Sequence, residues 1–314
     1  MSTCLSRVQK KTIEKKAAER FVIALGFFDG VHLGHAELIK MAKRRALELN
    51  ATPAVLSFDV SPMSVVNGEP IPLIGNVQTR KDAIIRNFGV SEIIILNFNK
   101  ALMTMPWEDF ISQLVERYKA VHFVLGHDFN CGYRGQGTSR KIAEFCAQHD
   151  IGCDIVPELK LNAITVSSSH IRTLISQGDI KSASSFLGHP YTISGVVKQG
   201  KKLGRTLGAP TINLALDAEL VFPQKGVYAT IVRADDTEFQ AVTNVGTRPS
   251  FDDGDALTVE AFLLDYSGDL YGRELYIDFY DFLRPERMFA DANELALQIK
   301  QDAENARSTL AALN

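Results

Sequence analysis

Two histidines, His32 and His35, lie three residues apart in the segment GFFDGVHLGH, which runs from Gly26 to His35. The segment follows the apolar run FVIAL and precedes the amphipathic stretch AELIKMAKRRALEL, so a strand is predicted to give way to a helix here. The free N–H groups and positive dipole at a helix start attract phosphate, and two imidazoles add donors. The spacing therefore indicates a nucleotide site, although a glycine turn with surface histidines is the structural alternative.

A second segment with phosphate-binding chemistry is SSSHIR, from Ser167 to Arg172. Its hydroxyls can cap a helix or hold phosphate oxygens, and the guanidinium of Arg172 can hold a phosphate through two parallel hydrogen bonds. A serine cap followed by an exposed arginine is the structural alternative. The histidine spacing resembles the HxGH signature of nucleotidyltransferases related to class I aminoacyl-tRNA synthetases. Together with the histidine segment, SSSHIR favours an adenylyl-transfer site, where positioning and charge stabilisation do most of the catalytic work.

A third segment, GKKLGRTLGAPTINL, runs from Gly200 to Leu214 and combines glycines with three cations. Glycines let backbone amides approach a phosphate, and Thr211 and Asn213 offer hard oxygen ligands suited to Mg²⁺. An ordinary basic hairpin is the alternative. Further along, Glu260 in the run TVEAFLLD is either an outward-facing strand residue or a base held against a substrate hydroxyl.

The segment GHDFNCGYRGQGTS, which begins at Gly126, contains four glycines among polar and aromatic residues. Such a loop can close on a planar ligand, with Phe129 and Tyr133 stacked on its ring. A surface loop with ordinary aromatic residues is the alternative.

Length and composition limit the classes of protein to consider. A chain of 314 residues exceeds the usual size of one domain, so we expect two. A net charge of −3 argues against a general nucleic-acid binder. The four cysteines form no CxxC pair and are expected to be free thiols. Without an apolar leader or a membrane-length apolar run, the sequence favours a cytoplasmic protein.

The elements that position these segments follow two patterns. In the first half, apolar runs alternate with amphipathic stretches, which predicts a parallel sheet with helices on both faces. The predicted strands are residues 21–25, 53–58, 92–96, 121–126 and 151–156. Ligands bind at the carboxyl ends of such strands. The histidine segment follows the first strand, and the segment from Gly126 follows the fourth.

In the second half, two short helices ending near Gly188 are followed by short strand-like runs. These runs predict an antiparallel barrel or sandwich. A final helix is predicted from about Asp291 to Ala306, with one face packed on the barrel. That face would carry Leu295, Ile299 and Ala303.

From about Phe21 onward, the chain resembles the prokaryotic bifunctional riboflavin kinase/FMN adenylyltransferase family, the FAD synthetases. The matching motifs are GFFDGVHLGH, GHDFNCG, SSSHIR, GKKLGRTLGAPTINL, PQKGVYA, NVGTRPSF, VEAFLLDYSGDLYGREL and LRPERMF, in that order. The resemblance implies a Rossmann-like nucleotidyltransferase domain over residues 1–186, with a parallel sheet and helices on both faces. It also implies a riboflavin kinase domain over residues 187–314, with an antiparallel β-barrel and a C-terminal helix.

The resemblance implies two transfers from ATP, one that turns riboflavin into FMN and one that turns FMN into FAD and pyrophosphate. Glu260 matches the base of the kinase, and Thr211 and Asn213 match the residues that hold Mg²⁺. The matching catalytic residues of adenylyl transfer are His32, His35 and Arg172. Nucleotide-binding positions are Gly26, Phe28, Asp29, Gly30, Ser168, Gly204, Arg205, Gly208 and Pro210. Flavin-binding positions are Asp128, Phe129 and Arg284.

Two stretches depart from the pattern of the family. An FxPHP-like stretch reads SFDVSPMS here, with Val60 and Ser61 in place of proline and histidine, and DFRFG reads DFNCG, with Asn130 and Cys131. Two alternatives therefore stay open: a riboflavin kinase with a weakened or inactive adenylyltransferase domain, and a flavin-binding regulatory protein. The implied partners are small molecules, with no nucleic acid and no membrane.

Overall fold

The computed structural model describes residues 20–198, 211–217, 219–235, 237–250 and 254–312, without the side chains of 248–250 and 254–256. The described residues form two compact units. The first contains residues 20–28, Gly34–Ile71 and Ala83–Thr165, and the second contains Asp29–Leu33, Pro72–Asp82 and 166–312. The predicted functional boundary between residues 186 and 187 stays a prediction.

The first unit is built on strands that end where the sequence predicts polar segments. They are β1 (Phe21–Leu25), β2 (Thr52–Phe58), β3 (Glu92–Leu96), β4 (Ala120–Gly126), β5 (Asn130–Cys131), β6 (Gly137–Thr138), β7 (Gly152–Val156), β8 (Lys160–Leu161) and β9 (Ile164–Thr165). The order β3-β2-β1-β4-β7 makes a parallel sheet of five strands, which confirms the predicted fold. The strand order reverses between β1 and β4, the position at which open parallel sheets bind ligands.

Helices connect these strands. They are α1 (Leu33–Glu48), α2 (Pro62–Asn67), α3 (Val77–Phe88), α4 (Lys100–Thr104), α5 (Trp107–Tyr118) and α6 (Ser139–Gln148). Ile23 and Leu25 of β1 share a core cluster with Ile111 of α5 and Ile142 of α6. Val22, on the other face of the sheet, is equally buried. The strands are therefore apolar on both faces, which is the reason for their continuous apolar runs.

The second unit contains α7 (Ser168–Ser176), α8 (Ile180–Leu187) and a closed antiparallel barrel. The barrel strands are β10 (Tyr191–Lys198), β11 (Thr211–Leu214), β12 (Gly226–Ala234), β13 (Thr237–Ser250), β14 (Gly254–Leu263) and β15 (Glu274–Arg284). Their order around the barrel is β10-β11-β14-β13-β12-β15. Strand β11 is absent from the sequence-based prediction, because its four residues lie inside a segment interpreted as a loop.

The last helix, α9 (Ala292–Ala311), is longer than predicted. Asp291 caps it by accepting hydrogen bonds from the N–H groups of Asn293 and Glu294. The prediction of its buried face was partly wrong, because Ala303, Ala306 and Leu310 are buried whereas Leu295 and Ile299 are only half-buried. The contact with the barrel therefore lies in the second half of the helix, where small side chains permit close approach.

Within the described ranges, none of the helices combines the length and apolar composition needed to cross a membrane.

Arg233 of β12 is held inside the second unit by two aspartates. Its side chain is 6% exposed, with Nε 2.6 Å from Oδ2 of Asp278 and Nη2 2.7 Å from Oδ2 of Asp82. Thr192 donates a further hydrogen bond of 2.7 Å to Asp278. A buried charge is stable only when it is paired in this way.

We expect Arg233→Met to lower the free energy of unfolding by about 3–5 kcal/mol, because it leaves two largely buried carboxylates without their cation. Urea unfolding followed by circular dichroism measures this loss. The matched control is Arg307→Met, since the Arg307–Asp265 pair is exposed and an exposed pair contributes about 0–1 kcal/mol. Equal losses in the two variants would contradict the assignment.

Candidate active sites

The turn after β1 has an unusual backbone. Phe28, Gly30 and Val31 all have positive φ values, at 58°, 73° and 46°. Such conformations cost non-glycine residues about 1–3 kcal/mol each and are concentrated at functional sites. Gly30 is required for a second reason, because a Cβ atom there would lie 2.8 Å from Cγ2 of Ile74. The turn that carries the predicted histidines is thus a strained and closely packed element.

His35 lies in the first turn of α1, within the first unit. The sequence-based prediction placed the helix start after His35, but the helix begins at Leu33. The half-buried His35 ring packs against Phe28, with 5.0 Å between ring centroids. Gly26 makes room for Phe28, because a Cβ atom on Gly26 would lie 3.0 Å from its ring. His35 is therefore fixed at a helix N-terminus, where the dipole favours an anion.

His32 is buried in the second unit, with 7% of its surface exposed. Burial lowers the pKa of His32 to about 4, and neighbouring His189 acts in the same direction. His32 is therefore a neutral imidazole at neutral pH. In that state one ring nitrogen donates a hydrogen bond and the other accepts one.

His189, which the sequence analysis did not identify, lies beside the turn that contains Gly30. Its Nε2 is 3.0 Å from the carbonyl oxygen of Gly30, and its Nδ1 is 2.8 Å from that of Pro190. No local sequence signal points to this contact, because it joins positions 159 residues apart.

The depressed pKa of His32 predicts acid sensitivity. The unfolded chain binds a proton near pH 6.5 and the folded chain only near pH 4, so the free energy of unfolding falls as the pH drops between these values. From about pH 7.5 to about pH 5 we expect His32 to account for a loss of about 2 kcal/mol. Urea unfolding at both pH values should show a smaller loss in His32→Gln than in the unchanged protein. His149→Gln, at an exposed histidine, is the control, and equal losses in all three proteins would refute the prediction.

The SSSHIR segment begins α7 and reaches the histidine turn. Ser167 caps the helix by accepting a hydrogen bond from the N–H of His170, so the structural alternative holds for this serine. Ser168 donates a hydrogen bond of 3.1 Å to the carbonyl oxygen of Asp29. Arg172 donates to the Asp29 carboxylate at 2.8 Å and is only 22% exposed. Two sequence-predicted segments therefore meet at Asp29 in the second unit.

The segment from Gly126, predicted to be a loop that can close on a planar ligand, contains a small hairpin. Strands β5 and β6 pair antiparallel, and Gly132 packs so closely on Trp107 that a Cβ atom there would lie 2.5 Å from the Trp107 Cβ. Asp128 is exposed, whereas Phe129 is half-buried against the core of the first unit.

The residues that depart from the family pattern lie just before α2 and in β5. Ser61 is buried and caps α2 by accepting a hydrogen bond from the N–H of Ser64. Val60 beside it is 36% exposed. Cys131 is half-buried in β5, and burial raises the pKa of its thiol to about 12. It is therefore a poor nucleophile at neutral pH.

In the barrel, the register brings the predicted kinase residues together. Glu260 of β14 lies opposite Asn213 of β11, and Thr211 is two positions from Asn213 on the same face of the strand. The neighbours Val259 and Ala261 are buried in the barrel interior, so the half-buried Glu260 belongs to the outward-facing side.

Asn244 of β13 lies opposite Glu260 on its other side, and sequence reasoning missed it. Its amide donates a hydrogen bond of 3.1 Å to Glu286. The signal was present in the run AVTNVG, because strand alternation puts Asn244 on the face opposite buried Thr243 and Val245.

Arg284 forms a two-pronged ion pair with the buried Asp302 of α9. Its Nε is 2.9 Å from Oδ1 and its Nη2 is 2.7 Å from Oδ2. The pair joins β15 to the terminal helix, so this guanidinium has a structural partner beside its predicted contact with flavin. Four predicted nucleotide-binding positions lie outside the described residues: Gly204, Arg205, Gly208 and Pro210.

Across the described part of the chain, no group of three or more His, Cys, Asp or Glu side chains could hold a metal ion. The oxygen donors on the same face of the barrel wall as Glu260 are Asn213, directly opposite it, and Thr211, two positions further along β11. Such neutral donors suit Mg²⁺, which usually keeps several waters and takes further oxygens from a substrate phosphate. The donor set therefore fits Mg²⁺ that arrives with a nucleotide.

A parallel five-stranded sheet with helices, in one chain with a closed antiparallel barrel that carries an outward carboxylate, is the architecture of a two-part nucleotide-dependent transferase. Family models for FAD synthetase and riboflavin kinase match residues 14–170 and 187–310. The chain is 34% identical to the bifunctional riboflavin kinase/FMN adenylyltransferase of Bacillus subtilis (strain 168), over 93% of each chain. It therefore belongs to the family of bifunctional riboflavin kinase/FMN adenylyltransferases.

Two further proteins match this chain over a similar length. The protein of the same description from Escherichia coli (strain K12) is 31% identical over 92% of each chain. A crystal structure described as a macrolide-efflux protein from Streptococcus pneumoniae has a TM-score of 0.79 and 29% identity, over 92% of this chain and 94% of that one. The likeness in both comparisons spans the sheet and the barrel.

Proposed function

We propose that this chain phosphorylates riboflavin to FMN and then adenylylates FMN to FAD, with ATP as donor in both steps. The observation that carries the proposal is the match of both family models to separate parts of one chain, at residues 14–170 and 187–310. The two alternatives, a kinase with an inactive partner domain and a regulatory flavin-binding protein, are not favoured. Relatives that match more than nine-tenths of the chain carry both activities in their names.

For the kinase step, Glu260 accepts the proton of the ribityl 5′-hydroxyl as its oxygen attacks the γ-phosphorus of ATP. A new O–P bond forms, the bond to the bridging oxygen breaks, and ADP leaves. Thr211 and Asn213 hold Mg²⁺, which neutralises charge on the phosphates when bound. The register that sets Asn213 opposite Glu260 supports this assignment.

In the same step, the glycine-rich segment that precedes β11 in the sequence holds the nucleotide phosphates. The residues we assign there are Gly204, Arg205, Gly208 and Pro210. Arg284 is assigned to the flavin, with its pairing to Asp302 fixing the direction of the guanidinium.

For the adenylyl step, the FMN phosphate attacks the α-phosphorus of ATP and pyrophosphate leaves. We assign stabilisation of the departing charge to His32, His35 and Arg172, with Ser168 as a further phosphate contact. The burial that keeps His32 neutral supports its use as a hydrogen-bond donor without a full charge. Gly26, Phe28, Asp29 and Gly30 form the turn at the nucleotide, and Asp128 and Phe129 are assigned to FMN.

The proposal keeps riboflavin, FMN and ATP as the small-molecule partners, without nucleic acid or membrane, and places both reactions in the cytoplasm. The bacterial relatives and the slightly negative net charge of −3 support this. It also assigns residues 1–186 to adenylyl transfer and 187–314 to the kinase.

The proposal is tested by incubating the full chain with riboflavin, ATP and Mg²⁺ and separating the flavins by chromatography. We expect FMN to appear first and FAD to follow. FMN without FAD would identify a kinase with an inactive partner domain. Bound riboflavin with neither product would identify a regulatory protein.

A further inference from the structure

Both carboxylate oxygens of Asp29 accept hydrogen bonds within the second unit. Its Oδ1 accepts hydrogen bonds from the N–H groups of Ile74 and Gly75, at 2.8 and 3.3 Å. Its Oδ2 accepts one from Nη1 of Arg172 at 2.8 Å, and the side chain is only 5% exposed. A buried anion does not face a phosphate and would repel one. Both carboxylate oxygens are therefore already occupied by donors of the protein itself.

Several groups around Asp29 compensate its buried negative charge. Burial raises the pKa of Asp29, whereas the Arg172 guanidinium, the two backbone N–H groups and the buried Arg80 oppose that rise. A buried charge is costly unless cations and hydrogen bonds compensate it, and here they come from separate parts of the chain. Asp29 thus joins the histidine turn to the segment before α3 and to α7.

Arg172 is held from two sides. Nη1 donates to Asp29, and Nη2 donates to the hydroxyl of Ser169 at 3.1 Å. An arginine has five N–H donors in a rigid fork, so the exposed edge of the guanidinium still has donors for a ligand. A free arginine loses rotamer entropy when a ligand fixes it, and a side chain that is already held avoids most of that loss.

We propose that Asp29 is a positioning residue for adenylyl transfer, which acts on the phosphates only by orienting the guanidinium of Arg172. This inference rests on the proposed function, because it takes Arg172 to contact the triphosphate of ATP. Misplacement of such a group by about 1 Å costs up to about 100-fold in rate.

A double-mutant cycle on the full chain tests the inference, with FAD formation from supplied FMN and ATP as the readout. Asp29→Asn keeps the shape of the side chain but removes its charge. We expect it to lower kcat about 10- to 100-fold. In an Arg172→Ala background the same change should have no further effect, because the group that Asp29 orients is absent.

The kinase rate and the melting curve of each sample separate positioning from stability. The matched control is Asp82→Asn, which weakens another aspartate–arginine pair of the second unit and should lower the melting temperature without slowing FAD formation. Independent losses from Asp29→Asn and Arg172→Ala would overturn the inference. An insoluble Asp29→Asn protein, or a parallel fall of its kinase rate, would overturn it too, since either would show that Asp29 serves stability alone.

The cycle also distinguishes this inference from the function on which it rests. Normal FAD formation by Arg172→Ala would remove the proposed role of Arg172 and the inference with it. A slow Arg172→Ala enzyme beside a normal Asp29→Asn enzyme would overturn the inference alone.

Discussion

Glu260→Gln should abolish most riboflavin phosphorylation while FMN adenylylation continues. The substitution keeps the size of the side chain and its place between Asn213 and Asn244, but an amide does not take a proton from the ribityl hydroxyl. General-base catalysis is worth about 10²- to 10⁴-fold, so the kinase rate should fall by that factor. Steady-state rates of FMN formation from riboflavin, and of FAD formation from supplied FMN, measure the two effects separately.

The control for this prediction is Glu274→Gln, the same chemical change at an exposed position of β15 in the same barrel. It should leave both rates unchanged. An active kinase in a folded Glu260→Gln protein would contradict the role of Glu260. A parallel fall in both activities would indicate misfolding instead.

His32→Ala and His35→Ala should each slow FAD formation by about 10²- to 10³-fold, the usual value of one donor that stabilises developing charge. The rate should fall more than ATP binding weakens, because only interactions that strengthen in the transition state accelerate the chemical step. The kinase step should be spared, so the variants should accumulate FMN from riboflavin. Rates of each half-reaction, measured beside a melting curve, decide the matter.

The matched control for the histidines is His149→Ala. His149 is exposed at the end of α6, where its Nδ1 is 2.8 Å from the Phe145 carbonyl oxygen. FAD formation should be unaffected by its loss. If His32 and His35 only shape the turn, thermal stability and both activities will fall together, and a stable double variant with normal FAD synthesis would disprove their assignment.

Local patterns were sufficient to predict most of the fold. The runs at residues 21–25 and 92–96 became strands at those positions. The first of them is buried on both faces, and such a strand must be apolar throughout. The alternation around Glu260 placed it correctly on a half-buried strand. The two short helices predicted to end near Gly188 also formed, and that glycine has a φ of 80°.

The elements that were missed depend on contacts between distant parts of the chain. Strand β11 is short and follows a glycine-rich stretch, so only its pairing with β14 makes it a strand. The glycines of the segment from Gly126 predicted a loop that closes on a ligand, but Gly132 and Gly137 lie against Trp107, where a Cβ atom would not fit. Local propensity does not contain such tertiary contacts.

The same limit applies to the candidate sites. Asp29 and Arg172 were both recognised from their motifs, but the ion pair between them joins positions 143 residues apart. The contact between His189 and Gly30 is of the same kind. Motifs therefore selected candidate residues, whereas the contacts that hold those residues in place required the folded structure.

The central claim is that one chain uses two ATP molecules in two different ways. The most direct test supplies riboflavin with ATP labelled either in its γ-phosphoryl or in its α-phosphoryl group, and follows the label into the separated flavins. We predict that the γ label enters FMN and is kept in FAD, whereas the α label enters FAD alone. Absence of α label from every flavin, in a protein that makes labelled FMN from the γ-labelled ATP, would contradict the account of the adenylyl site.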